Sequence, residues 1–257
     1  MKLGLVTYNM AKDWDIATII ENCQQTGFEG VELRTTHAHG VEETLTQDER
    51  KKVRETFESS DVKLVGLGSA FEYHSVDPEE VRRNIEGTNS YTVLARDVGA
   101  EEVKVRPNAL QVDAGIPVEK TLEQIGLALR ECGEFAEDYD IEIRLEVHGR
   151  GTNDPKYVRK IMDFADHDNV FVCWNSNNSD IIDGSVRENF DLLKDKIRQV
   201  HMRDLFLEEY PWGEMLGLLG KMDFKGFCLA EVPESPDPIR VMNYYRALWK
   251  ALSFPRN

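Results

Sequence analysis

The sequence predicts one α/β domain over residues 1–257, a single (β/α)8 barrel. Three observations carry that expectation. Short β-rich runs alternate with amphipathic helical stretches eight times along the 257 residues, the arithmetic of this barrel, which typically needs about 250 residues. No linker, low-complexity run or shift in composition divides the chain. The first strand-to-helix turn, Thr7-Tyr8-Asn9-Met10-Ala11, lacks the glycines of an open, doubly wound nucleotide-binding sheet.

The β-rich runs are Leu3–Tyr8, Gly30–Arg34, Lys63–Ser69, Glu102–Arg106, Glu142–Val147, Val170–Trp174, Arg198–Met202 and Phe227–Val232. The helical stretches begin near Asp15, Thr46, Asp77, Pro117, Asp154, Gly184, Pro211 and Pro238. Asp15, Asp77-Pro78, Asp154-Pro155 and Asp237-Pro238 place a capping acid before the first turn or a proline within it. Gly27, Gly30, Gly99 and Gly226 punctuate the approaches to strands.

Composition narrows the function classes. Apolar residues are 41% and charged residues 30% of the chain, an ordinary globular balance. Lys and Arg number 31 against 47 Asp and Glu, a formal charge of −16, which repels nucleic-acid backbones and anionic membranes. No run approaches the ~18 apolar residues of a membrane span, and the N-terminus reads as a strand rather than a signal segment. Cys23, Cys132, Cys173 and Cys228 are widely spaced and read as structural thiols of a reducing, cytoplasmic setting.

A barrel of this kind places its site at the C-terminal ends of the strands, and strand side chains alternate between barrel interior and helix layer. In the fifth strand Ile143, Leu145 and Val147 suit the helix layer, so Glu142, Arg144, Glu146 and His148 face the axis. The same reasoning turns Lys104, Arg106 and Asn108 inward from the fourth strand, Phe171, Cys173 and Asn175 from the sixth, Gln199, His201 and Arg203 from the seventh, and Phe227, Leu229 and Glu231 from the eighth. Glu146, Asn175, His201 and Glu231 thus converge on one rim. Two carboxylates, an imidazole and an amide oxygen suit Mg²⁺, Mn²⁺ or Co²⁺; a polar rim satisfied by its own members and water is the alternative. A row of charges along the axis is costly unless paired, so Lys104 is expected to share an internal ion-pair layer with Arg144 and Glu32.

The ordered motifs "LGLVTYNM", "TGFEGVELR" at 26–34, "RLEVHGRG" at 144–151, "HMRDL" at 201–205 and "LAEV" at 229–232 resemble the xylose isomerase-like TIM barrels, the sugar phosphate isomerase/epimerase superfamily, over essentially the whole chain. The resemblance implies one divalent ion (Mn²⁺, Mg²⁺, Co²⁺ or Zn²⁺) held by Glu146, Asn175, His201 and Glu231. Asn175 departs from the aspartate of that pattern and removes a negative charge, which lowers affinity for a hard cation. Asn178 stands where the family often has histidine, and Leu207 where it has a substrate-binding arginine, a role left to Arg203.

The implied chemistry is proton abstraction beside a carbonyl of a small carbohydrate, the ion polarising the carbonyl and steadying an enediolate. Glu146 and Glu231 are the catalytic pair, one removing the proton and the other returning it, as in isomerisation or epimerisation. A lyase or dehydratase acting on a keto-sugar or inosose, and a metal-free sugar-binding homologue, are the alternatives. The barrel is shared with DNA-repair endonucleases, but the acidic charge and the Asn175/Asn178 pair argue against nucleic acid. Dimers or larger homo-oligomers follow the family's habit. Substrate contacts are expected from His148, Arg106, Asn108, Asn178, Arg203 and His74, with Trp14 and Trp212, read as residues of the loops after the first and seventh strands, walling the sugar's apolar face. His37 and His39, in "RTTHAHG", read as loop surface, with substrate contact or a loop hydrogen bond the other option.

Overall fold

The computed structural model describes residues 1–253. Eight parallel strands close into a barrel in chain order, β1 pairing with β8 to complete the ring. They are β1 Lys2–Val6, β2 Gly30–Arg34, β3 Lys63–Glu72, β4 Glu102–Arg106, β5 Glu142–Glu146, β6 Val170–Asn175, β7 Ile197–Met202 and β8 Phe227–Ala230. The helices around it are α1 Ile16–Thr26, α2 Gln47–Glu58, α3 Pro78–Val98, α4 Val118–Glu137, α5 Pro155–Ala165, α6 Arg187–Leu193, α7 Trp212–Lys221 and α8 Pro238–Ser253. No helix among the described residues is long and apolar enough to cross a membrane.

The start signals act as the sequence predicts. Asp15, Asp77 and Asp154 each accept a backbone N–H of the first turn that would otherwise lack a partner. Thr46 and Glu49 form a reciprocal capping box. Some boundaries differ. α6 starts at Arg187 rather than near Gly184, because Gly184 (φ +80°) sits in a tight turn that bridges Ile182 to Ser185. Strands β1 and β8 stop early, so Tyr8 lies in a turn and Glu231 stands one residue past its strand.

The main core lies between strands and helices, where Leu5, Val31, Leu67, Val103, Ile143, Val172, Val200 and Cys228 are buried against the helix faces. Inside the barrel a separate apolar cluster of Val6, Val65, Phe227 and Leu229 fills part of the space. Charged side chains take the rest. β3 makes room for them with Gly66 and Gly68: a Cβ at Gly66 would overlap the Glu102 carboxylate, and one at Gly68 the Glu32 carboxylate. All four cysteines are buried free thiols.

Candidate active site

The strand ends surround a cavity of about 270 Å³ lined by Tyr8, Glu32, Arg34, Lys104, Arg106, Glu146, His148, Asn175 and Glu231, with Val6 at its wall. That volume suits a small ligand. Glu146 at the end of β5 and His201 on β7 are buried, whereas Glu231 is a quarter exposed at its side chain. His201 Nδ1 lies 3.8 Å from Glu146 Oε1 and 4.0 Å from Glu231 Oε2. It has no hydrogen-bond partner although buried, a costly state for a polar atom.

The other imidazole nitrogen is fixed. His201 Nε2 meets Glu32 Oε2 at 2.9 Å, and Gln199 Nε2 donates to the same oxygen at 2.5 Å. A carboxylate behind a ring nitrogen is how proteins orient a metal-binding histidine. The unpartnered Nδ1 and the two carboxylates, with ligand atoms within 4.8 Å of one another, therefore fit a divalent cation. Asn175 lies beside them, but the Asn175 amide hands its Nδ2 to Glu146 Oε1 at 3.0 Å; offering the Oδ1 instead takes a half-turn of the amide.

One element of the site differs from expectation. Lys104 does not join Arg144 and Glu32 in one layer. Its Nζ donates to Glu146 Oε2 at 2.6 Å, with both groups buried. Arg144 instead holds Glu142 and the Gln199 side chain, and Glu32 holds His201. The reason is vertical spacing: register pairs Lys104 with Arg144, and the long lysine side chain reaches up to the next inward residue of β5. Burial pushes the Glu146 carboxyl up, but Lys104 and His201 together outweigh it and hold the group well below the usual range. Glu231 has no such cation in contact, so burial leaves its carboxyl raised.

On the opposite side of the cavity Glu72 gathers the ends of β3 and β4. It accepts from Arg106 Nη2 and Asn108 Nδ2, each at 2.5 Å, with His74 Nδ1 at 3.6 Å. Arg106 and His148 line the cavity, while Asn108 and His74 lie outside its lining: Asn108 bonds the Glu72 carboxylate that holds Arg106, and His74 sits beside that carboxylate without a hydrogen bond from its Nδ1. Arg203 and Asn178 bond to each other at 2.8 Å outside the lining. Trp14 and Trp212 do not wall the cavity: Trp14 packs partly buried against the main core, and Trp212 is the first residue of α7, buried against Tyr210. His39 is buried, not loop surface, and both its nitrogens bond the backbone. The sequence reading missed Tyr8, Arg34 and Glu72. Arg34 carried a usable signal, since it lies two residues after the inward Glu32.

The family model for xylose isomerase-like TIM barrels matches residues 20–248. The chain belongs to that family. Solved structures extend the likeness over the whole length. A D-psicose 3-epimerase from Clostridium cellulolyticum H10, solved with D-tagatose, superposes with a TM-score of 0.83 at 14% identity, covering 98% of this chain and 99% of the epimerase. The IOLI protein, solved with a binding zinc atom, superposes with a TM-score of 0.76 at 17% identity, covering 98% and 96%. The "probable 3-DHS dehydratase" from Bacillus anthracis covers 100% of both chains with a TM-score of 0.72 at 14% identity. At such identities the likeness is one of fold. No curated protein matches the chain by sequence.

Proposed function

We propose that the chain is a cation-dependent isomerase or epimerase of a small carbohydrate, with Glu146 and Glu231 as its acid–base pair. The observation that carries this reading is the buried, unpartnered His201 Nδ1 facing both glutamates. Glu146, His201 and Glu231 would hold the ion, with Asn175 as fourth ligand. When bound, the ion would draw electron density from a substrate carbonyl and make the neighbouring C–H more acidic.

The residues divide the proton work by environment. Glu231, the more exposed of the two and with a raised carboxyl, is suited to hold the proton that is returned to carbon. Glu146 stays ionised beside Lys104 and is suited to take the proton from carbon. Lys104 keeps Glu146 oriented toward the cavity. His148, beyond Glu146 on the same strand line, keeps an unpartnered buried Nδ1 for a substrate hydroxyl. The epimerase neighbours support this reading at the level of scaffold.

Solvent deuterium wash-in tests it. Ketoses, 3-keto sugars and inososes incubated in D₂O with Mn²⁺ should gain deuterium at the carbon beside the carbonyl, and Glu146→Gln and Glu231→Gln should each cut the rate by about 10²-fold or more. Near-wild-type exchange in either folded variant sinks the two-glutamate scheme. An unsaturated product in place of exchange moves the assignment to the dehydratase reading.

A further inference from the structure

We infer that the cavity takes a substrate bearing a carboxylate, an acidic sugar or hydroxy-keto acid, and that Arg34 is the residue that selects it. This rests on the reading of the cavity as the substrate site.

The argument is one of charge pairing. Among the described residues, nearly every charge around the cavity has a partner. Lys104 holds Glu146, Arg106 holds Glu72, and Glu32 meets His201. Glu231 faces His201. Arg34 is the cavity-lining cation left over: it lines the cavity yet makes no ion pair among the described residues. Its one side-chain hydrogen bond runs from Nη1 to the Thr35 carbonyl at 3.3 Å, leaving most of a five-donor guanidinium unused.

The backbone under that side chain is built to hold it still. The Arg34 N–H donates to Thr7 Oγ1 at 2.9 Å. Its carbonyl accepts from His39 Nε2 at 2.8 Å, because the Val41 N–H occupies His39 Nδ1 at 3.0 Å and so leaves the ring proton on Nε2. Burial disfavours the charged form of His39, consistent with that neutral tautomer. β3 offers only the Gly68 Cα opposite Arg34, with Lys104 level with it on β4, and the Glu32 carboxylate takes the space that a side chain at Gly68 would fill.

Position completes the case. The glutamates and His201 come from β5, β7 and β8, whereas Arg34 ends β2. A ligand presenting its reacting carbonyl to the first group extends its far end toward the second. There the planar fork of one unpaired guanidinium matches a carboxylate bidentately. A phosphate is usually cradled by successive backbone N–H groups or a helix N-terminus, and β2 reaches its helix only at Gln47. In a chain of net charge −16, a held cation at the site gives an acidic ligand a local partner that the surface denies it.

Matched ligands test this by calorimetry with Mn²⁺ present: D-glucuronate against D-glucose, D-galacturonate against D-galactose, and glucose 6-phosphate as the phosphate arm. We expect each acid to bind at least tenfold tighter than its neutral counterpart. Arg34→Gln should erase that preference while leaving Mn²⁺ affinity within about twofold, and Arg34→Lys should keep part of it. No acid preference in the wild type, including no binding by either acid, overturns the inference, as does a preference that survives in folded Arg34→Gln. Tighter binding of the phosphate ester than of the acids overturns the carboxylate assignment. Binding and deuterium wash-in are separate readouts, so Arg34-dependent acid binding without exchange refutes the proposed reaction and leaves this inference standing.

Discussion

Replacing Lys104 with methionine removes the ammonium and keeps a side chain of similar length. Lys104 Nζ and Glu146 Oε2 are 2.6 Å apart with side-chain exposures of 5% and 4%. At an effective dielectric of about 20, that separation corresponds to roughly 6 kcal/mol of Coulomb attraction. Measured losses on deleting one partner of a buried pair are smaller, about 3–5 kcal/mol, because the remaining charge relaxes or takes a proton. For a domain of this size each kcal/mol shifts Tm by roughly 2–4 °C, so metal-free Lys104→Met should melt roughly 6–20 °C below wild type. The same change frees Glu146 from a competing cation. Saturating Mn²⁺ should therefore raise the Tm of the variant by more than it raises that of wild type, since a ligand bound only by the native state stabilises it by an amount that grows with the logarithm of its affinity. Thermal unfolding of both proteins, with EDTA and with a Mn²⁺ titration, reads both quantities. A variant as stable as wild type in EDTA, or one whose Mn²⁺-induced shift is no larger than that of wild type, refutes the reasoning.

Three further outcomes follow from the same geometry. Asn175→Asp gives up the amide donation to Glu146 and adds a second carboxylate beside it; metal-free Tm should drop by several degrees, while Mn²⁺ binding measured by calorimetry tightens about tenfold or more. Glu102 is buried inside the barrel with both carboxylate oxygens unpartnered, and burial pushes its carboxyl up to about 8. The native state then binds more protons than the unfolded chain between the ordinary value and about 8, so stability from this group falls as pH rises through that window. Glu102→Gln should melt above wild type at pH 9 and close to it at pH 4, and a flat difference across that range removes the account. Gly68→Ala would drive a methyl group into the Glu32 carboxylate; denaturant unfolding should show a loss of about 1–3 kcal/mol, with Mn²⁺ affinity falling because Glu32 orients His201.

Much of the architecture was legible because the barrel repeats one unit. Alternation of strand and helix, aspartates and prolines at helix starts, and period-two patterning within β5 are local signals, and the structure keeps each of them. Glu146, His201 and Glu231 were found by parity along three strands, and they do converge. What parity could not supply is height. Lys104 and Arg144 share a register position, yet the lysine reaches upward to Glu146, and the arginine reaches down its own strand to Glu142 and across to Gln199. A side chain of four carbons can pair with any of several neighbours, and only the packed interior selects one. Glu72 escaped notice because β3 runs to residue 72, beyond the stretch that the sequence marks as strand, with a register shift against β4 after Gly68. Trp212 was misplaced for the opposite reason, since the helix that follows Pro211 begins on that residue and turns it into the core.

The four buried thiols have a practical side. Burial pushes Cys23, Cys132 and Cys228 up to about 12 and Cys173 up to about 11, so at neutral pH none offers appreciable thiolate to an alkylating or fluorescent reagent. The native protein therefore behaves toward maleimides as though it had no cysteine, and its thiols report only on unfolding. A single cysteine placed at the exposed Phe206 position, in the segment after β7, would be the one reactive thiol on the folded molecule. A dye attached there would sit on the groove lined by Asp204, Pro233, Tyr244 and Leu248, without any substitution in the barrel.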